Sequence, residues 1–216
     1  MQDLIIGTIP LLIAFLASLK YYGNLKSYRL QIFPYYLFTT LIFQTGGYFY
    51  SAFFKESNHF IFNIYILIEN SFYLYIFYKV IQRDTFKKVI RIAALIFCVY
   101  YLYEVVYLNH FLVYSAQTSN MGKLVTLFCC ILYFAEILMA EQQLNFFMLP
   151  MFWICTGVMI AVIGNFLYLC FFHYILQNNL DPDGKVYGVI TTLISVIEYS
   201  FFTLGFSCKK IWTRTK

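Results

Sequence analysis

Charge is the scarcest ingredient of this chain. Of 216 residues, 12% are Asp, Glu, Lys or Arg, about half the share found in a soluble globular domain. A water-soluble fold is thereby excluded. Proline is also rare, with four residues, so most of the chain runs without a helix breaker. No C-x-x-C pair occurs, which removes zinc-ribbon and thioredoxin-like readings. A nucleotide-binding glycine loop, a nucleophile elbow, kinase signatures and an H-E-x-x-H zinc motif are missing too. Little of the usual enzymatic repertoire remains.

What is present is apolar: 62% of the residues are hydrophobic and 22% aromatic. They fall in blocks of about 20 residues, the length of helix that crosses a bilayer. Seven blocks run near 4–20, 33–54, 60–79, 90–109, 122–141, 148–174 and 187–208. The pattern predicts an all-α polytopic membrane protein with seven transmembrane helices, residues 1–216 forming a single transmembrane domain. Many tyrosines lie near block ends, where amphipathic rings favour the interface. The first block, "MQDLIIGTIPLLIAFLASL", lacks a basic n-region and a small-x-small cleavage site, so it reads as a span and not as a removed signal peptide.

Orientation follows from Lys and Arg. With the N-terminus outside, the inner segments hold Lys20, Lys26, Arg29, Lys79, Arg83, Lys87, Lys88, Arg91, Lys209, Lys210, Arg214 and Lys216, leaving Lys55, Lys123 and Lys185 outside. The positive-inside rule then gives N-out, C-in. The net charge of +5 is this bias, which suits anionic membrane lipid and gives no support to nucleic acid as a partner. The bacterial cytoplasmic (inner) membrane is the expected location. The six cysteines, Cys98, Cys129, Cys130, Cys155, Cys170 and Cys208, lie in blocks or at the inner end of the last one, so no disulfide framework is expected.

The third and seventh blocks align without a gap. Ile68, Glu69, Ser71, Phe72 and Phe77 match Ile197, Glu198, Ser200, Phe201 and Phe206. The second and sixth echo each other as "GGYFYSAFF" (46–54) and "GNFLYLCFF" (164–172), each block opening with a proline, Pro34 and Pro150. Two parallel units, 1–80 and 121–209, joined by the span at 90–109, would give a 3+1+3 layout. Chance matching among abundant Phe, Tyr, Ile and Leu is the alternative.

That layout resembles the architecture shared by SWEET-type sugar transporters and microbial rhodopsins. Two departures are visible: no Pro-Gln dipeptide occurs, and no lysine lies between Lys185 and Lys209 to attach retinal. The N-x-Y-x-x-x-E pattern of Asn63, Tyr65 and Glu69 also resembles a group of seven-span bacterial integral membrane proteins, a resemblance that implies no activity.

Four carboxylates, Glu69, Glu104, Glu136 and Glu198, fall inside blocks, and by these boundaries no Lys or Arg shares their depth. A Glu at a helix centre costs about 2.5–3.5 kcal/mol to insert, so it normally faces the bundle interior. Without a basic partner such carboxyls stay protonated or share a bound cation. Gln44, Glu69, Asn70, Asn165 and Glu198 all lie near the midplane. Small and polar stripes at helical spacing, Thr40, Gln44, Gly47 and Ser51 in the second block and Thr191, Ser195, Glu198, Phe202 and Gly205 in the seventh, mark buried faces. They converge on one polar centre lined by Tyr65, Tyr73 and Tyr168, the expected ligand- or proton-binding site. Glu104, in the outer third of its span, is a further member; Glu136, near the inner rim, is expected to be solvated. Hydrogen-bonded packing glue is the competing role for Glu69 and Glu198, although interhelical bonds average only about 0.6 kcal/mol.

All three histidines, His59, His110 and His173, fall at the outer side with Glu56, Asp181 and Asp183. They come from separate segments with no i, i+4 ligand pair, so they make weak zinc candidates and no metal or cofactor is assigned. Three functions fit. Foremost is a receptor-like or accessory protein that binds a small ligand or partner at Glu69/Glu198. With no output domain, it acts through a separate cytoplasmic or membrane protein at the basic inner loop 79–91 or the tail. The alternative is a small proton- or cation-coupled transporter. The third is a metal-dependent membrane hydrolase, so an enzyme is the least supported class. The sequence leaves homo-oligomerisation open.

Overall fold

The computed structural model describes residues 2–140, 145–178 and 185–208, without the side chains of 2–7, 167–174, 176, 177, 185 and 187. Tyr168, Cys170, His173, Asp181, Asp183 and the basic tail lie outside the described residues or side chains.

Prolines and polar turns punctuate the apolar blocks. Helix α1 (Gln2–Lys20) carries Pro10 and leads into the short α2 (Tyr22–Ser27). Proline then opens α3 (Phe33–Phe54), with Pro34 in its first turn, where a missing N–H is harmless. Lys55, in left-handed backbone at φ 55°, closes it. After α4 (His59–Val80) comes α5 (Asp84–Tyr101), which widens into a π-helical turn at Leu102–Leu108. Then follow α6 (Ala116–Leu138), a 3₁₀ turn at Phe146–Met148, α7 (Pro150–Gln177) and α8 (Lys185–Ser207).

Four stretches are long and apolar enough to cross a membrane: His59–Val80, Asp84–Leu108, Ala116–Leu138 and Gly188–Ser207. Thr8–Lys20 and Pro150–Phe166 are shorter apolar helices. This all-α architecture is consistent with a polytopic integral membrane protein. The polar residues of α3, among them Thr39, Thr40, Gln44 and Thr45, keep that helix out of the first group.

Neighbouring helices pack in the cyclic order α1, α3, α4, α6, α7, α8 and back to α1, with α5 outside the ring against α4 and α6. The α7–α8 contact is the most extensive. It depends on small residues: a Cβ on Gly157 would lie 2.7 Å from Phe201 Cβ, so only glycine lets the backbones approach this closely. One end of the ring carries the α1–α3, α4–α5 and α6–α7 connections and most of the lysines and arginines; it is called the basic end below.

Aromatic rings fill the ring interior towards the basic end. Phe33 of α3 meets Phe72 of α4 edge-on at 4.9 Å, and Phe202 and Phe206 of α8 at 5.7 and 5.4 Å. Tyr36 stacks on Phe72 at 3.9 Å. Edge-to-face geometry suits the ring quadrupoles, and Phe33, Phe202 and Phe206 are fully buried. The plug therefore ties α3, α4 and α8 together just below the polar centre.

At the opposite end, Asn63 holds the α5–α6 connection. Its side chain is fully buried; its Nδ2 donates to Val113 O at 2.8 Å and its Oδ1 accepts from Ser115 N at 3.0 Å. Tyr101 donates to the Asn63 carbonyl. The connection needs such pinning because His110 and Phe111 both sit at positive φ, 45° and 63°. Asn63→Ala is expected to cost about 2 kcal/mol, as two backbone groups lose buried partners. Amide hydrogen exchange over 109–115 should accelerate in the variant; unchanged exchange would mean that the loop holds itself.

Candidate functional site

Glu69 on α4 and Glu198 on α8 meet across the ring interior. They line one cavity with Asn70, Tyr73, Lys123, Thr126 and Asn165. Its volume is about 40 Å³, room for about two or three waters. Both carboxylates are half-buried.

Tyrosine hydroxyls connect them. Tyr73 OH donates to Glu198 Oε1 at 3.1 Å. Tyr36 OH lies 3.5 Å from Glu69 Oε1, from Tyr73 OH and from Tyr65 OH. These are long contacts for O–H···O bonds, and the single Tyr36 proton serves one acceptor at a time. Turning that one hydroxyl therefore links Tyr36 to Glu69 or to the Tyr73–Glu198 arm. Thr40 Oγ1, which donates to the Tyr36 carbonyl, lies 3.1 Å from Tyr65 OH and ends the chain. Of the tyrosines expected to line the centre, Tyr73 lines the cavity and Tyr65 does not, reaching it through the Tyr36 hydroxyl; Tyr168 lies outside the described side chains, and Tyr36 is added by the fold.

Lys123 corrects the expectation that no basic residue shares the depth of the glutamates. It lines the same cavity as both. A block that starts at 122 sets Lys123 at the outer edge of its span, among the outer charges, whereas α6 begins two turns earlier at Ala116. The residues between look like loop but are held as helix by neighbours. Thr118 donates to Glu104, Ser119 is buried, and Thr118 is fully buried. One signal was available in the sequence: Ser119, Gly122 and Thr126 form a small and polar stripe at helical spacing on both sides of Lys123.

The remaining site residues divide. Asn70 Nδ2 donates to Ile66 O at 2.8 Å, and Asn70 Oδ1 receives Thr126 Oγ1 at 3.5 Å. Its carboxamide lies directly over Gly122, where a Cβ would overlap it, so the α4–α6 approach depends on that glycine. Asn165 lines the cavity while donating to Ala161 O at 2.9 Å. Gln44 is one helix away, facing the Tyr199 hydroxyl. Glu104 is buried elsewhere, bonded by Thr118 inside the π-helical turn, and does not line the cavity. Glu136, expected to be solvated, is half-exposed and accepts the backbone N–H groups of Gln82 and Arg83 at 2.8 and 3.0 Å in exposed hydrogen bonds, tying α6 to the α4–α5 turn.

His59 begins α4 and His110 is exposed in the α5–α6 connection. Among the described residues no cluster of three or more His, Cys, Asp or Glu could hold a metal; His173 lies outside them.

Chemically, the centre holds two carboxylates against one ammonium. Fully ionised it carries one excess negative charge, which is costly away from water; one proton or one small monovalent cation neutralises it. The chain is thus a helical protein with apolar helices suited to a membrane and a titratable polar centre between them. No protein-family model, curated protein or solved structure matches it.

Proposed function

We propose that this protein is a small proton- or cation-coupled membrane transporter whose coupling site is the Glu69–Glu198–Lys123 centre. One observation carries the reading: two carboxylates and an ammonium line one cavity of about 40 Å³ inside the ring. Proton and cation coupling needs such a site, with one charge more than its internal counter-ion balances. The receptor-like reading puts a small-molecule ligand at the same place, and about 40 Å³ is far below the 300–1,000 Å³ of ordinary ligand pockets.

The transmembrane layout is part of the proposal. Seven spans, α1 and α3 to α8, run N-out and C-in through a bacterial inner membrane as one domain, the basic end facing the cytoplasm. The packing order supports the 3+1+3 duplication. Helices α1, α3, α4 and then α6, α7, α8 follow one another round the ring, the order required if a two-fold axis along the membrane normal is to exchange the two sets. Such an axis sets α4 opposite α8, and Glu69 opposite Glu198, the two positions that align in sequence. A coupling site on the axis between repeats is what parallel-repeat transporters use.

In this scheme the proton arrives from the end opposite the basic one. Asn120, one turn before Lys123 on α6, has a buried side-chain oxygen without a partner among the described residues, an acceptor on that route. The aromatic plug at Phe33, Phe72, Phe202 and Phe206 closes the route to the basic end. A proton on Glu69 or Glu198 passes between them through the Tyr36 and Tyr73 hydroxyls, and Lys123 stabilises whichever carboxylate is ionised.

The test is thermal stability of the purified protein from about pH 5 to 8, for wild type and for Glu69→Gln/Glu198→Gln, with and without sodium or potassium. The wild-type midpoint should fall as pH rises, or respond to one of the cations; the double variant, which keeps only Lys123 in the cavity, should lose both that fall and the cation response. Two curves of the same shape, unmoved by either cation, would sink the proposal.

A further inference from the structure

We infer that the groove between the start of α3 and the end of α4 is a binding site for the phosphate headgroup of an anionic phospholipid. The groove, about 460 Å³, is lined by Arg29, Gln31, Ile32, Tyr35, Tyr75 and Lys79. Two side chains are cationic, none is acidic, and the volume falls in the range of ordinary ligand sites. Lys79 Nζ lies 5.5 Å from the Tyr75 ring centroid, and Arg29 Nη1 reaches the Lys79 carbonyl at 3.5 Å, so both cations face one opening.

The backbone at Arg29 supplies an independent reason. Helix α2 ends in a Schellman motif: Leu30 N donates to Leu25 O at 2.8 Å and Arg29 N to Lys26 O at 3.3 Å. In that motif the residue at the Arg29 position adopts left-handed backbone and is usually glycine. Arg29 adopts it, at φ 64°. Local structure therefore favours glycine here, and the guanidinium has to be accounted for by what it binds. A planar fork of N–H donors matches phosphate oxygens.

The surroundings specify a lipid. Tyr35 and Tyr75 are 67% and 46% exposed, amphipathic rings at the end of the helices where interfacial tyrosines sit. Phe38 and Ile42 continue the exposed face of α3 from Tyr35 at 52% and 51%, one and two turns further on. An acyl chain lying along them leaves its phosphate at Arg29 and Lys79. Basic pockets between transmembrane helices at the cytoplasmic side hold anionic headgroups by the same logic.

The purified protein in neutral detergent is titrated with dioleoylphosphatidylglycerol, dioleoylphosphatidylcholine or inorganic phosphate, following the thermal midpoint and bound lipid by native mass spectrometry. Phosphatidylglycerol should raise the wild-type midpoint saturably and remain bound, with the other two additives inert. Arg29→Gly/Lys79→Gln should weaken that response by at least about tenfold. The glycine suits the left-handed position, so the fold is not penalised. Lys87→Gln/Lys88→Gln, the same charge loss on α5, should keep the full response. The site is refuted if phosphatidylcholine acts equally, if inorganic phosphate reproduces the effect, if the Arg29/Lys79 variant responds normally, or if the Lys87/Lys88 variant loses as much.

Discussion

Replacing Lys123 by methionine is expected to destabilise the protein by about 2 kcal/mol at neutral pH, less than the loss for a fully buried pair because Glu69, Lys123 and Glu198 are half-buried. Lys123 shares the cavity with Glu69 and Glu198, so removing it leaves two carboxylates with nothing to balance them. To be neutral the variant must hold two protons there, where the wild type holds one. The unfolded chain releases those protons to water at neutral pH. The native state then binds more protons than the unfolded state, and stability falls as pH rises; with two such protons the fall is about twice as steep as in wild type. Adding Glu198→Gln to Lys123→Met removes one carboxylate and should recover much of the loss. Additive effects in that double-mutant cycle would show that the two groups do not share a centre. Chemical denaturation at several pH values reads out all four proteins.

Gly122→Ala is the second large effect. A methyl group at that position overlaps the Asn70 carboxamide. Asn70 cannot simply turn away, because it bonds Ile66 O and Thr126 Oγ1 on either side. Helix α6 must therefore shift from α4, at an expected cost of about 1–3 kcal/mol. The same shift carries Lys123 away from Glu69, so the pH response of the centre should weaken along with stability. Gly46→Ala is the control: nothing lies within 4 Å of a Cβ there, and alanine in a helix interior gains about 0.5–1 kcal/mol over glycine. If both variants behave alike, α4 and α6 are not in close contact at Asn70.

The helices were legible because the blocks are long and their ends are marked. The block at 33–54 coincides with α3, which opens at Pro34, and 60–79 differs from α4 by one residue at each end. What hydropathy could not show was structure made by interhelical partners. The segment "AQTSN" is polar, yet it forms the first turns of α6 because Thr118 bonds Glu104, Ser119 is buried and Asn70 of α4 covers Gly122. Starting the block at 122 instead of 116 set Lys123 at its edge and hid its depth. The π-helical turn after Tyr101 likewise depends on a hydrogen-bond register that residue types do not encode.

At the centre, the repeated Glu in matching surroundings pointed to Glu69 and Glu198, and the polar stripes pointed to the faces they share. Asn63, Tyr65 and Glu69, read as one pattern, do three jobs: Asn63 pins the α5–α6 connection, Tyr65 links Thr40 into the hydroxyl chain and Glu69 lines the cavity. Tyr36 was missed because one tyrosine near a block end looks like any other interfacial ring. Only the fold turns it inward, where it is 5% exposed and joins the two carboxylate arms.

The most direct measurement is infrared difference spectroscopy of the reconstituted protein during a pH titration, following the C=O stretch of a protonated carboxylic acid. Wild type should show one such band that appears and disappears with pH. It should vanish in Glu69→Gln and in Glu198→Gln alike, since either change leaves a balanced Lys123–carboxylate pair with no proton to exchange. A band that survives both single substitutions, or a wild-type spectrum with no titrating carboxylic band, would contradict a shared one-proton centre.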